Sequence, residues 1–221
     1  MSYPNTPLST LLPYVLPHVP GCPDPVAEFE LRMAAIEFCE RTRCWRHMVQ
    51  VEIASNNRTI IAPSFSQIHE FEEATHNGLK LTPSLWTEGD PDELSGQVRE
   101  GLPQFITQFA PGQVSIRPFR AGTLRVSAFL KPCHGNAFGY DIEDPLRDAY
   151  NTIPAFMRDQ YADALAKGAL ARLHGLPEER FTDPNRSAEA RAYFNLACDS
   201  AFAANLKGQQ RAPIRTKTNW M

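Results

Sequence analysis

Apolar side chains recur at helical spacing in three stretches of the chain. The first follows Asp24-Pro25, a pair typical of a helix N-cap and first helical position, and spans residues 26 to about 43. The second begins near Ile153 and ends before Gly175, and the third spans residues 187–207. Apolar residues cover more than half of the first helix. We therefore expect these helices to pack on one another.

Alternation of apolar and polar residues replaces helical spacing between the first two helices. Residues 47–53 and 59–62 predict a hairpin that turns at Asn56-Asn57, and residues 66–73 and 78–82 predict another that turns at Asn77-Gly78. Three more strands are predicted at residues 104–109, 114–117 and 123–130, with a turn at Pro111-Gly112. Residues 88–100 form an acidic loop between these two groups of strands.

The order of helix, strands, helix and helix predicts an α+β fold. We expect a helical bundle scaffold formed by residues 1–46 and 140–208, because outer helices with broad apolar faces must pack across the intervening strands. Residues 47–139 would then be a small inserted antiparallel β domain, and residues 209–221 an extended C-terminal tail.

The C-terminal tail has an unusual composition. It carries Arg211, Arg215 and Lys217 with no acidic residue, has no amphipathic pattern, and ends near Trp220. Two interpretations remain open: a frayed end, or a peptide that docks on an acidic or grooved partner.

A glycine also stands inside the second helix. Gly168 costs about 1 kcal/mol of helix propensity relative to alanine, which indicates a close approach of another backbone. We assign Gly168 and Ala169 to subunit packing.

Composition narrows the class of protein. Hydrophobic residues make up 43% and charged residues 21%, and no apolar run reaches the length of a membrane span, so a soluble globular protein is expected. A net charge of -3 argues against a general nucleic-acid binder. The 5 cysteines include no CxxC pair, which favours a reducing cytosol over a disulfide framework.

No sequence motif indicates catalysis, a cofactor or a metal. Phosphate-binding glycine loops and a GxSxG elbow are absent. Cys133-His134 could supply a thiol and a base, yet adjacent residues on an extended chain point in opposite directions. Cys39 and Cys44 are expected to lie off a common helix face, as small buried residues. Glu70, Glu72 and Glu73 are interpreted as a solvated strand face. We therefore predict that the protein is not an enzyme.

Three stretches carry a resemblance to a known family. They are PHVPGCPDPVAEFELRMAAIEFCERTRCW near the N-terminus, Pro154 through Tyr161 to Leu173 with Gly168-Ala169-Leu170-Ala171, and the strands around Val114-Ser-Ile-Arg-Pro118 and Leu124-Arg-Val126. In these the chain resembles the head-to-tail adaptor (connector, neck) proteins of tailed bacteriophages.

The resemblance implies a ring, usually of twelve copies, in the virion neck, assembled in the host cytoplasm. The ring would bind the portal protein on one side and the next tail or neck protein on the other, and DNA would pass through its channel without sequence-specific binding. By position and character, Arg211, Arg215, Lys217 and Trp220 correspond to a portal-binding segment. Alternatives are a stopper or tail terminator, or an enzyme that uses Cys133 and His134.

Overall fold

The computed structural model describes residues 4–54, 59–85, 100–133 and 151–209. The main helices in this part of the chain are α1 (Leu12–Val15), α2 (Asp24–Thr42), α3 (Ala155–Leu173) and α4 (Pro184–Gln209), and short 3-10 turns lie at Leu8–Leu11 and Leu16–His18. We call residues 8–42 and 155–209 the helical region.

The strands form three sheets. They are β1 (Asn5–Pro7), β2 (Arg46–Ile53), β3 (Thr59–Ile60), β4 (Ser66–His76), β5 (Leu79–Lys80), β6 (Thr82–Pro83), β7 (Phe105–Ala110), β8 (Gln113–Arg117), β9 (Gly122–Pro132) and β10 (Thr152–Pro154). The first large sheet has the order β2-β9-β4-β5 and the second the order β3-β8-β7-β6, while β1 pairs with β10. We call residues 46–132 the β region.

The predicted fold class is wrong. Among the described residues the structure is mixed, 43% helical and 33% strand, and the β region is not a small insert in a helical bundle. Nor is the β region wholly antiparallel, because β6 and β7 pair in parallel. The sequence pattern underestimated the β content because β1 and β10 are three residues long, too short to show alternation, and because β4 and β9 extend beyond the predicted spans.

Helix α2 lies at the centre of the helical region. It contacts α3, α4 and β9, and this explains its broad apolar face. Its buried residues include Leu31, Ala34, Ala35 and Phe38. The helix begins one residue earlier than expected: Pro23 is the N-cap, and the predicted cap Asp24 lies in the first turn.

Strand pairing in the β region confirms one of the two predicted hairpins and also the predicted turn at Pro111-Gly112. The β4-β5 hairpin turns at Asn77-Gly78, and the β7-β8 hairpin turns at Pro111-Gly112. The predicted hairpin of residues 47–53 and 59–62 is wrong, because β2 pairs with β9 whereas β3 pairs with β8. The two segments therefore belong to different sheets.

A seam of specific contacts joins the two regions. Trp45 is buried just after α2, and its carbonyl accepts a hydrogen bond from the backbone N–H of Leu130 in β9 at 2.8 Å. Lys131 of β9 contacts Glu40 of α2 at 2.6 Å. The buried apolar residues of both regions belong to a single connected cluster. The helical and β regions thus share one core.

Candidate functional site

The outward side of α4 presents apolar residues to solvent. We call Ala192, Tyr193, Leu196, Ser200 and Ala203 the outer face of α4; all are exposed, and Leu196 is 69% exposed. Their spacing of three or four residues places them along one side of the helix. Between positions 192 and 206 the helix has a single charged residue, Asp199. An uncharged exposed stripe of this kind is typical of a protein-interaction surface.

The opposite side of α4 fixes the helix on the rest of the chain. Phe194 and Cys198 are fully buried there. Phe194 lies against Phe38 of α2, with 6.2 Å between the ring centroids. At the start of the helix the Asp183 carboxylate accepts hydrogen bonds from the backbone N–H groups of Asn185 and Arg186, at 3.0 and 3.1 Å. This N-cap sets where α4 begins.

Ion pairs around Glu37 hold α2, α3 and α4 together. Its carboxylate is 2.9 Å from Arg172 of α3 and 2.6 Å from Arg191 of α4, and Arg41 lies at 3.8 Å. Burial by itself would raise the pKa of Glu37, but the hydrogen bonds from Arg191 and Arg172 outweigh it and hold that pKa below its usual value. The cluster fixes the helices that carry the outer face of α4.

Polar contacts tie Tyr193 to α3. The Tyr193 hydroxyl donates a hydrogen bond to the Asp163 carboxylate at 2.6 Å, and the Lys167 ammonium lies 5.8 Å from the centroid of its ring. These contacts orient the ring while 46% of the residue stays exposed. Tyr193 is therefore an ordered aromatic on this surface, the kind of residue that dominates many interfaces.

Exposed apolar residues also gather on the second large sheet. Ile60, Leu85, Leu102 and Phe105 are between 42% and 65% exposed. Phe71 of the first sheet and Pro83 of β6 line a groove of about 680 Å³ nearby, together with Ser84, Leu85, Gln108, Phe109, Ala110 and Pro111. This second surface lies in the β region, away from the helices.

The two residues assigned to subunit packing are buried in the helical region. A Cβ atom on Gly168 would lie 2.7 Å from the Phe194 ring and 2.9 Å from the Ala34 side chain, and Ala169 is completely buried. The close approach at Gly168 is thus made by side chains of the same chain. Their use at a subunit interface stays a prediction. The predicted portal-binding residues Arg211, Arg215, Lys217 and Trp220 lie outside the described residues.

The remaining candidate residues give no catalytic arrangement in the described part of the chain. Burial raises the pKa of the Cys133 thiol to about 11, so it is protonated at neutral pH, and His134 lies outside the described residues. Glu70 pairs with Arg43 at 2.7 Å, and Glu72 pairs with Arg46. These carboxylates of β4 therefore make ion pairs, where only a solvated face was expected.

Two cysteines lie closer together than the sequence suggested. The expectation that Cys39 and Cys44 lie off a common face is wrong, because the helix ends between them. Arg43 has a left-handed conformation (φ 52) that turns the chain back, and the Sγ atoms of Cys39 and Cys44 are 3.9 Å apart. The sequence contains no glycine at this position to indicate such a turn.

Comparison with known proteins adds no family assignment. No family model matches the chain, and no curated protein matches it significantly. Of the described helices, none has both the length and the hydropathy needed to cross a membrane. Within the same residues, no group of three or more histidine, cysteine or acidic side chains is placed to hold a metal ion. The geometry of the exposed surfaces is therefore the basis for a functional proposal.

Proposed function

We propose that the protein is a structural subunit of the virion neck of a tailed bacteriophage, a head-to-tail adaptor. Copies of the chain form a ring between the portal protein and the next tail or neck protein, with a central channel for DNA. The observation that carries this proposal is the outer face of α4, which is apolar, nearly uncharged and exposed along the longest helix of the described residues. The sequence resemblance supplies the class of assembly.

Packing within the chain covers the apolar face of α2 but leaves the outer face of α4 exposed. The broad face of α2 is covered by α3, α4 and β9 of the same chain. On α4, by contrast, Tyr193 is 46% exposed and Leu196 is 69% exposed. In a ring each subunit lies between two neighbours, so a neighbouring copy can cover the outer face of α4 in every subunit. Contacts of this kind favour assembly because apolar surface leaves water.

The exposed apolar residues of the second large sheet suit a different partner. Leu85 and Phe105 lie on the β region, and the outer face of α4 lies on the helical region. An adaptor needs separate surfaces for its neighbours in the ring and for the components above and below it. We assign the second sheet to the tail or neck partner. The tail of residues 209–221, which begins at the last residue of α4, is assigned to the portal through Arg211, Arg215, Lys217 and Trp220.

Electron microscopy of the purified protein mixed with portal rings tests the proposal. Negative-stain images are expected to show a second ring stacked on the narrow end of the portal. Leu196→Glu puts a charge on the outer face of α4 and is expected to abolish the second ring while circular dichroism shows a folded chain. Met48→Glu is the matched control, because Met48 on β2 has the same exposure of 69%.

Each outcome of this experiment has a clear meaning. Absence of a stacked ring with the unsubstituted protein contradicts the adaptor role. A stacked ring that survives Leu196→Glu contradicts the use of α4 between subunits. Hydrogen exchange tests the tail separately: residues 209–221 are expected to become protected only when portal is present, and equal protection with and without portal contradicts their docking.

A further inference from the structure

Three sulfur atoms meet where α2, β2 and α3 come together. The Cys39 Sγ atom lies 3.9 Å from Cys44 Sγ and 3.7 Å from Met157 Sδ. Cys39 and Met157 are fully buried, whereas Cys44 is partly exposed. Cys22 and Cys198 are also buried, and the Cys22 Sγ atom donates a hydrogen bond to the Pro23 carbonyl at 3.6 Å.

The backbone around this pair holds the two thiols in place. The N–H of Arg43 donates a hydrogen bond to the Cys39 carbonyl at 2.9 Å, and the Thr42 hydroxyl donates to the Phe38 carbonyl at 2.7 Å. The left-handed Arg43 then directs Cys44 back toward the last turn of α2. Met157 of α3 occupies the other side of Cys39. Formation of a disulfide requires the two sulfur atoms to approach from 3.9 Å to about 2.05 Å.

We infer that Cys39 and Cys44 are a redox modification site that closes to an intrachain disulfide when the protein meets a small disulfide oxidant such as oxidised glutathione. The Cys44 thiolate attacks one sulfur of the oxidant, forms a mixed disulfide and releases one thiolate. The Cys39 thiolate then attacks the Cys44 sulfur and releases the second. Two protein thiols are oxidised, and the two protons they lose are taken up by the two released thiolates, so the oxidant is reduced to two thiols.

The ionisation of the two thiols fits these roles. The hydrogen bond from Cys39 lowers the pKa of Cys44, so the partly exposed thiol is the one that ionises first. Burial raises the pKa of Cys39 well above its usual value, so Cys39 stays protonated until the mixed disulfide forms beside it. Burial raises the pKa of Cys198 to about 11, which makes this thiol a slow competitor.

The bond would join the end of α2 to the start of β2. Cys39 lies in the last turn of α2, and Cys44 lies two residues before β2 begins at Arg46. A disulfide here would link the helical region covalently to the segment that leads into the β region. Disulfides persist at virion surfaces and are rare in the cytosol, so a subunit assembled with free thiols would close the bond after release. The chemistry itself is independent of the adaptor role.

Peptide mapping of the folded protein tests this inference. The segment Cys39-Glu40-Arg41-Thr42-Arg43-Cys44 contains two trypsin sites, so the two cysteines fall on different tryptic peptides unless a disulfide joins them. After incubation with oxidised glutathione, the intact mass is expected to fall by two hydrogen masses. We expect a tryptic species in which a disulfide links residues 39 and 44, and a reductant should separate it into two peptides. Cys44→Ser should abolish this species, and Cys198→Ser should leave it unchanged.

Several results would overturn the inference. They are a glutathione adduct that stays on Cys44, a linked species that contains another cysteine, and an unchanged intact mass in a protein that retains its native circular dichroism. The oxidised form is also expected to unfold about 3–8 °C above the reduced form, because the bond restricts the unfolded chain. An oxidised form whose unfolding temperature is equal to or below that of the reduced form contradicts a stabilising disulfide.

Discussion

The helical region and the β region are held together by different means. Helices α2, α3 and α4 pack through small residues around Gly168 and through ion pairs around Glu37. The β region depends on β9, which pairs with β2 on one side and with β4 on the other. The register joins Val49 to Val126, residues far apart in the sequence. The strands therefore depend on long-range pairing, and the helices on side-chain fit.

This difference also separates the proposed functions of the two regions. The helical region is fixed internally by charged side chains, and it exposes an uncharged stripe on α4. The β region contains ion pairs such as Arg46 with Glu72, and it exposes apolar residues on its second sheet. Each region thus contains internal ion pairs and also exposes apolar side chains.

Removal of a core side chain from each region should have the largest effect. Phe194→Ala in the helical region is expected to cost about 3–5 kcal/mol and Leu124→Ala in the β region about 2–5 kcal/mol, because each leaves a cavity. Since one connected cluster spans both regions, both substitutions should lower the same unfolding transition. Calorimetry with circular dichroism measures this. Two separated transitions, only one of which responds to each variant, would show that the regions unfold independently.

Gly168→Ala is expected to destabilise the protein by about 1–3 kcal/mol. Alanine normally favours a helix by about 1 kcal/mol over glycine, but its Cβ would lie 2.7 Å from the Phe194 ring. Chemical denaturation of the single variants and of Gly168→Ala with Phe194→Leu measures the coupling. The smaller ring-free side chain should recover part of the loss. Ser200→Ala on the exposed side of α4 is the control, with an effect near zero; additive costs at 168 and 194 would contradict the clash.

The sequence predicted the helices better than the strands because helical periodicity is local. The structure confirms helices close to the predicted spans, and it confirms the hairpin at Asn77-Gly78, where φ is positive at both residues. The pairing of β2 with β9 has no local signal, so the predicted hairpin partner of β2 was wrong. The share of β structure was underestimated because the three-residue strands β1 and β10 are too short to show alternation.

Parts of the candidate surfaces had partial signals in the sequence. The single charge between positions 192 and 206 marks the outer face of α4 in the sequence, but the buried side of the helix is set by its packing against α2 and α3. The approach of Cys39 to Cys44 depends on the left-handed backbone of Arg43, a conformation that arginine rarely adopts. No neighbouring residue in the sequence predicts it. Tertiary packing therefore decided both features.

Glu37→Gln should weaken the helical region by about 1–2 kcal/mol at neutral pH. The substitution keeps the shape of the side chain but removes the charge that Arg172 and Arg191 contact. Urea unfolding followed by circular dichroism gives the change in free energy. Glu189→Gln, on an exposed position of α4, is the matched control and should have little effect. Equal effects of the two variants would contradict a structural role for the Glu37 cluster.

Acidification should remove the contribution of Glu37 to the free energy of unfolding. Its pKa in the folded protein is lower than the usual 4.5, so its stabilisation is complete above pH 4.5 and is lost as the pH falls through the folded pKa. The difference in unfolding free energy between the unsubstituted protein and Glu37→Gln should therefore shrink below pH 4.5. Glu30 gives the opposite control: burial raises its pKa despite the nearby Arg172, so the unsubstituted protein should gain on acidification relative to Glu30→Gln. A difference at Glu37 that grows in acid would contradict the ion-pair cluster.

The smallest predicted effect compares one glycine from each region. Gly21 lies before α2 with φ +88, Gly78 lies in the β4-β5 turn with φ +83, and an added Cβ would meet no atom within 4 Å at either position. Alanine at either site should cost about 1 kcal/mol, because only the left-handed backbone is penalised. Urea unfolding of Gly21→Ala and Gly78→Ala measures the two costs side by side. Equal costs for Gly21→Ala and Gly78→Ala would mean that the β4-β5 turn affects stability only through its own backbone conformation. A clearly larger cost at Gly78 would instead show that this hairpin sets the register of β4 against β9, and with it the stability of the whole β region.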